Sequence, residues 1–319
     1  MPPFAFPNGK RFAFTILDDT DVATVENVRP VYRLLEELGM RTTKTVWPVG
    51  CPEGSPNFGE SQTLDDPAYR EFLVDLKSRG FELTWHAATM ESSRRERTIA
   101  GLERFREVFG EYPSIHASHS FNRENPYWGA GRVDIRALRW LAGTISRVGK
   151  DYYQGHVPGS PYWWGDLCSR HIVYARNLTF NHINTTAINP SLPYRDAARD
   201  LAAWWFSSTD AEDADEFADL LSPRNQERLE AEGGVCIVAT HIGKDFVRDG
   251  RVCPLVEDGL RALARRPGWF VPVGPLLDWL RARRESEFLP ADEWRLMQWR
   301  WLLDLAHRKI RRSVRRRFN

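Results

Sequence analysis

The chain has 319 residues, 44 Lys and Arg against 43 Asp and Glu, and a formal net charge of +1. That length suits one large α/β domain or two small ones and is ample to bury a core. No apolar run reaches the ~18 residues of a spanning helix, and the segment from Met1 to Pro7 lacks the charged and apolar regions of a signal peptide, so a cytoplasmic protein is expected. Cys51, Cys168, Cys236 and Cys253 are scattered without a CxxC pair, which favours reduced thiols over a disulfide frame or a cysteine zinc site.

The first predicted strand, 11–17, runs into two adjacent carboxylates, Asp18 and Asp19, with Asp21 close behind. Neighbouring strand residues point to opposite faces, but the chain turns at the strand's end, and both acids are expected to reach one pocket. A site that holds a metal and activates a water needs two acids with different tasks. Solvated turn and helix-cap residues would give the same letters.

Further strands are predicted at 42–47, 81–86, 113–118, 171–176, 234–240 and 269–273. Between them lie amphipathic stretches at 28–38, 69–79, 94–109 and 254–265, with Gly80, Gly110 and Gly268 at helix-to-strand joins. Alternating βα units argue for a mainly parallel sheet, and about seven of them point to a barrel. Residues 120–190, rich in Trp, Tyr, Asn, Pro and Gly, read as long loops over one barrel mouth.

Sites in such folds gather at the C-terminal ends of strands. There the sequence places Asp18 and Asp19, then His86, then His116 and His119, then His241. Two or three neutral imidazoles with one carboxylate make an open site for zinc or a similar divalent ion.

The chain resembles the polysaccharide deacetylase superfamily (carbohydrate esterase family 4, NodB-like) in order and spacing over residues 11–284. The resemblance rests on Asp18-Asp19, on the run from Gly80 to His86, on the buried run from Gly234 to His241, and on the segment from Gly268 through Phe270 and Val271. Two departures mark a divergent branch. Met90 stands where the family has a second metal histidine, and His116-Ala117-Ser118, followed by His119, replaces an Arg-Pro-Pro motif. The resemblance implies a distorted (β/α)7 barrel with long loops over the site, and a metal-dependent hydrolase that removes an N-acetyl group from a sugar. It implies a divalent metal, zinc by expectation, on Asp19 and His86 with His119 or His116 as third ligand. It makes Asp18 the general base and His241 the general acid. A non-sugar amide or imide hydrolase on the same fold, or a non-catalytic glycan-binding or membrane-associated protein, are the alternatives.

Asn122, Arg123, Asn125 and Trp128 follow the histidine pair directly and are candidate sugar-binding residues, as is Trp164 in the aromatic run at 162–164. Lys244, close behind His241, is a candidate contact for an anionic group.

The chain divides into a barrel, 1–284, and a C-terminal segment, 285–319. Residues 308–319 hold seven Lys or Arg and no acid, so the rest of the chain carries 37 basic against 43 acidic residues. Trp294, Met297, Trp301 and Leu305, then Ile310, Val314 and Phe318, recur at helical spacing. A basic amphipathic helix over 292–319 suits peripheral contact with an anionic inner membrane face, and hence a lipid- or nucleotide-linked sugar substrate. A helix packed on the barrel over 292–307 with a basic end is the other reading. No nucleic-acid partner is expected.

Overall fold

The computed structural model describes residues 4–318 except 146, 147 and 150; for residue 145 and residues 312–318 it describes the backbone alone. Seven parallel strands form a barrel: β1 (Phe12–Asp18), β2 (Thr43–Val46), β3 (Glu82–Trp85), β4 (Ile115–His116), β5 (Tyr174–Phe180), β6 (Trp204–Asp210) and β7 (Val235–Thr240). Closure is made by β1 on β7, in register from Ala13–Val235 to Asp18–Thr240. The expected distorted (β/α)7 barrel is therefore present. The distortion lies at β4, two residues long and joined to β3 through a single pair, Trp85 and His116.

Strand β1 shows how the sequence builds both layers. Phe12, Phe14 and Ile16 pack outward against α1 (Val25–Glu37) and α2 (Pro67–Ser78), among Val28, Val31, Leu35 and Leu73. Ala13 and Leu17 point inward, into a cluster with Ile115, Phe206 and Ile237. The period of two thus sorts one strand between barrel interior and helical jacket. Helix α1 starts at a capping box, in which the Thr24 hydroxyl accepts from Asn27 N–H and the Asn27 amide oxygen accepts from Thr24 N–H. Helix α3 (Arg95–Phe109) ends on Gly110 at φ 79°, a left-handed stop that suits glycine.

The stretch 120–190 is more ordered than its composition predicts. It holds α4 (Arg136–Ile145), α5 (Gly165–His171), β5 and the short α6 (Thr185–Ile188). The sixth barrel strand was not predicted, because Ser207, Ser208 and Thr209 interrupt its apolar pattern although all three are buried. Beyond it come α7 (Ala214–Leu220), α8 (Pro223–Glu232), β7, a small hairpin of β8 (Val247–Arg248) and β9 (Arg251–Val252), and α9 (Pro254–Ala264). The predicted strand at 269–273 shrinks to β10 (Gly268–Trp269), which pairs with Phe12 and Ala13 at the start of β1 and is not a barrel stave. Helix α10 (Val273–Arg281) follows, and Leu276 and Leu277 join the inner cluster.

The last helix, α11 (Ala291–Phe318), packs on the barrel through its first half. Met297, Trp301 and Leu302 are buried with Leu138 and Ala142 of α4 and Leu178 of β5. The Gln298 amide oxygen accepts the N–H groups of Asp134 and Ile135 at the entry to α4. Ile310 is exposed, and the side chains of Val314 and Phe318 lie outside the described residues. Among the described residues no helix is long and apolar enough to cross a membrane.

Candidate active site

The C-terminal ends of β1, β3, β4 and β7 meet at one barrel mouth, around a cleft of about 260 Å³. Asp21 stands at its centre. Its Oδ1 lies 3.2 Å from His86 Nε2, and its Oδ2 lies 3.6 Å from His119 Nε2 and 3.3 Å from His241 Nε2. Each imidazole reaches Asp21 with the same nitrogen because an oxygen holds the other. His86 Nδ1 bonds the Ala117 carbonyl, His119 Nδ1 the Asn122 amide oxygen at 2.7 Å, and His241 Nδ1 the Glu212 carbonyl at 2.8 Å. Those acceptors place the ring proton on Nδ1 and turn the Nε2 lone pair toward the carboxylate.

Electrostatics separates His119 from His241. Burial works against ionised Asp21, but His119, His241 and His86 outweigh it and hold the carboxyl well below its usual range. Burial likewise disfavours the charged form of His241, yet the hydrogen bond and charge of Asp21 prevail and raise its pKa above 6.5. For His119 burial wins and lowers the pKa. His119 is thus the neutral ring and His241 the one disposed to hold a second proton.

The two strand-end acids part company. Asp19 lies on the cleft, with Oδ2 in an ion pair with Arg176 Nη1 at 2.8 Å and Oδ1 buried without a hydrogen-bond partner, 3.8 Å from His86 Nδ1. Asp18 does not reach the cleft. It shares the outward face of β1 with Phe14 and Ile16, and its Oδ2 accepts from Lys44 Nζ at 2.7 Å and Tyr32 OH at 2.8 Å. Its Oδ1 accepts the N–H of Ile242. With every contact turned away from the mouth, Asp18 has no access to a reacting water, and the general-base expectation moves off it. His116 is also turned away: it is buried, its Nε2 bonds Ser118 Oγ at 3.0 Å, and its ring meets Trp164 edge-on. Burial brings its pKa down to about 3. Of the two histidines offered as third ligand, His119 is the one at the cluster.

Of the candidate sugar-binding residues only Trp128 lines the cleft. Asn122 is a fully buried bracket, accepting from His119 and donating to Thr89 O, Glu91 O and Glu124 Oε1. Asn125 donates to the His119 carbonyl. The Arg123 guanidinium lies over Tyr152 and Tyr162. Trp164 is buried and donates from Nε1 to the Glu124 carbonyl. Asn122 and Asn125 thus hold His119 in place. Sequence reading missed Asp21 as the focus, and Arg132, Arg176 and Arg308 as cleft residues. Asp21 had one signal, its two-residue offset from Asp19; Arg176 had another, a charge inside a β-prone run.

Among the described residues no group of three or more His, Cys, Asp or Glu side chains stands in the arrangement of a formed metal centre. The donors nevertheless fit a divalent cation by their chemistry. Imidazole lone pairs facing an ionised carboxylate require positive charge between them, and the buried Asp21 Oδ1 and His86 Nε2 have no hydrogen-bond partner. The oxygen on each Nδ1 is the orientation that metal-binding histidines need.

No protein family's sequence model matches the chain, and no curated protein matches it. Solved structures do. A putative polysaccharide deacetylase from Mycobacterium smegmatis superposes with a TM-score of 0.54 at 14% identity, covering 91% of this chain and 97% of that one. A probable polysaccharide deacetylase from Pseudomonas aeruginosa PAO1 gives 0.50 at 13% identity, covering 89% and 95%. The fold is that of the polysaccharide deacetylases. The superposition spans nearly the whole of both relatives.

Proposed function

We propose that the protein is a metal-dependent amide hydrolase that removes an N-acyl group, acetyl foremost, from a sugar or a sugar-linked intermediate. The observation that carries the reading is the convergence of His86, His119 and His241 through Nε2 on Asp21, each with Nδ1 tied to an oxygen. Asp21, His86 and His119 would hold the cation, zinc or a similar divalent ion. When bound, it would supply charge stabilisation for the acyl oxygen as that oxygen turns negative.

The protein's own groups supply the proton transfers. Asp19 is the general base: Arg176 fixes one oxygen and leaves the buried Oδ1 to take a proton from the attacking water. The water oxygen bonds the acyl carbon. His241, its Nδ1 held by the Glu212 carbonyl, gives its Nε2 proton to the nitrogen as the carbon–nitrogen bond breaks, releasing acid and amine. Trp128 offers an aromatic face to the substrate. Helix α11 walls one side of the cleft through Trp301, Leu305 and Arg308, which favours a compact substrate over a polymer threading through. Beyond residue 311 the basic end of α11 is proposed as a peripheral contact with an anionic membrane surface.

The test is metal content by mass spectrometry for wild type and His86→Ala, beside acetate release from N-acetylhexosamines and their nucleotide-linked forms. Stoichiometric metal in the wild type, its loss in the variant and acetate production support the reading. A metal-free wild type that releases no acetate would rule it out.

A further inference from the structure

Cations and anions on the wall of the cleft pair off, with one exception. Arg176 faces Asp19 at 2.8 Å, Arg308 faces Asp210 at 3.4 Å and Lys244 faces Glu212 at 3.5 Å. Asp21 has its imidazoles. Arg132 lines the same cleft and, among the described residues, forms no ion pair.

The guanidinium of Arg132 is held as a receptor group would be. It lies between two indoles, 3.9 Å from the Trp128 ring centre and 4.8 Å from that of Trp301. Its Nη1 donates to the Asn177 carbonyl at 3.1 Å, which fixes the fork in its plane. Its Nε is buried and has no hydrogen-bond partner. Burial, with Arg308 and Arg176 adding to it, pushes the group down to about 9 against the opposing pull of Tyr153 and of the more weakly felt Asp210. Arginine presents donors in a planar pattern that matches a carboxylate or a phosphate, and a desolvated charge without a partner is costly.

We infer that the ligand of this cleft is an acid, whose carboxylate or phosphate docks on Arg132 between Trp128 and Trp301. Arg308, brought in by α11, adds charge on the same wall. This deepens the amide-hydrolase reading by naming the substrate class, N-acylated and anionic. It rests on that reading for the reacting end of the molecule and on Arg132 for the other.

The experiment titrates four probes into the full chain and into Arg132→Gln by calorimetry: N-acetylglucosamine, N-acetylglucosamine 1-phosphate, N-acetylmuramic acid and inorganic phosphate. One acidic sugar is expected to bind wild type about tenfold tighter than its neutral parent, and the variant to lose that advantage, as removal of a charge-assisted hydrogen bond predicts. Preference for the phosphate or for the muramic carboxylate identifies the source of the anion. Equal affinity for acidic and neutral sugars, or an acid preference that survives in Arg132→Gln, overturns the proposal. If no sugar binds, the sugar reading fails by itself and inorganic phosphate decides for the anion site. Binding weakened about tenfold in the variant sustains the site, and absent or unchanged binding sinks it. Should Arg132→Gln fail to fold, Arg308→Gln takes its place, with a weakening of about threefold expected for the acidic probe and none for the neutral one.

Discussion

Asp18 and Ile242 are joined at the seam that closes the barrel: the Asp18 carboxylate accepts the Ile242 backbone N–H at 2.9 Å. An acid at the end of the first strand thereby fixes the turn that carries His241 at the end of the last barrel strand. The other oxygen of the same carboxylate neutralises Lys44, and both side chains are fully buried.

Asp18→Ala therefore acts on stability before it acts on chemistry. It leaves Lys44 buried without its counter-ion and frees the turn at Ile242. A loss of about 3–5 kcal/mol is expected, read as a lower midpoint in urea.

Asp19→Asn acts on the chemistry directly. The side chain keeps its size but cannot accept a proton from water. Turnover should fall by about 10²–10⁴, as for loss of a general base, and the melting temperature should fall as well, because the buried Arg176 loses its counter-charge.

The pH profile reports His241. Its pKa is raised, so the proton donor is present below that value and is lost as pH climbs through it. In the metal-free protein the His241 ring should titrate above pH 6.5, the ordinary histidine value, when followed by NMR, and His241→Gln should remove the alkaline limb of kcat/KM along with most of the activity.

Glu124 gives stability a slope of its own. Burial raises its carboxyl to about 7 from an ordinary 4.5. The folded state then holds a proton that the unfolded chain has released, so stability falls as pH rises between those values and levels off above. The loss amounts to roughly 3 kcal/mol, and denaturant melts at pH 5 and pH 8 should show it in wild type and not in Glu124→Gln.

Helix α11 is tied to the body of the protein as far as Arg311, which pairs with Asp219. Trp301→Ala should cost about 3–5 kcal/mol, because the indole is buried against α4 and Arg132. A chain ending at residue 311 should keep its melting temperature and its turnover of soluble substrates, and lose affinity for anionic lipid vesicles in a sedimentation assay.

The barrel was legible because its signals are local. Strands and helices differ in apolar period, and six of the seven staves announced themselves that way. β6 did not, since Ser207, Ser208 and Thr209 are polar letters in a buried strand. The strand-end histidines His86, His119 and His241 were legible for the same reason: position at the end of a stave is a property of the local run. The aromatic loop at 162–164 misled, because Trp164 looks the same in sequence whether it lines a cleft or fills a core.

The roles of Asp18 and Asp19 show where local reading stops. Parity along β1 puts Asp18 with Phe14 and Ile16, and Asp19 with Leu17, on opposite faces. The turn after the strand does not undo that parity; it delivers Asp21, two residues on, to the cleft beside Asp19. By itself the sequence determined an alternating βα chain with acids and histidines at its strand ends, because periodicity and strand termini are written in neighbouring residues. Only the tertiary structure decided which acid meets the imidazoles, that Arg176 holds Asp19, and that the last helix brings Arg308 to the same mouth. Those pairings join residues far apart in the chain, Asp21 with His86, His119 and His241 and Asp19 with Arg176, and barrel closure, not any local preference, sets the distance between them.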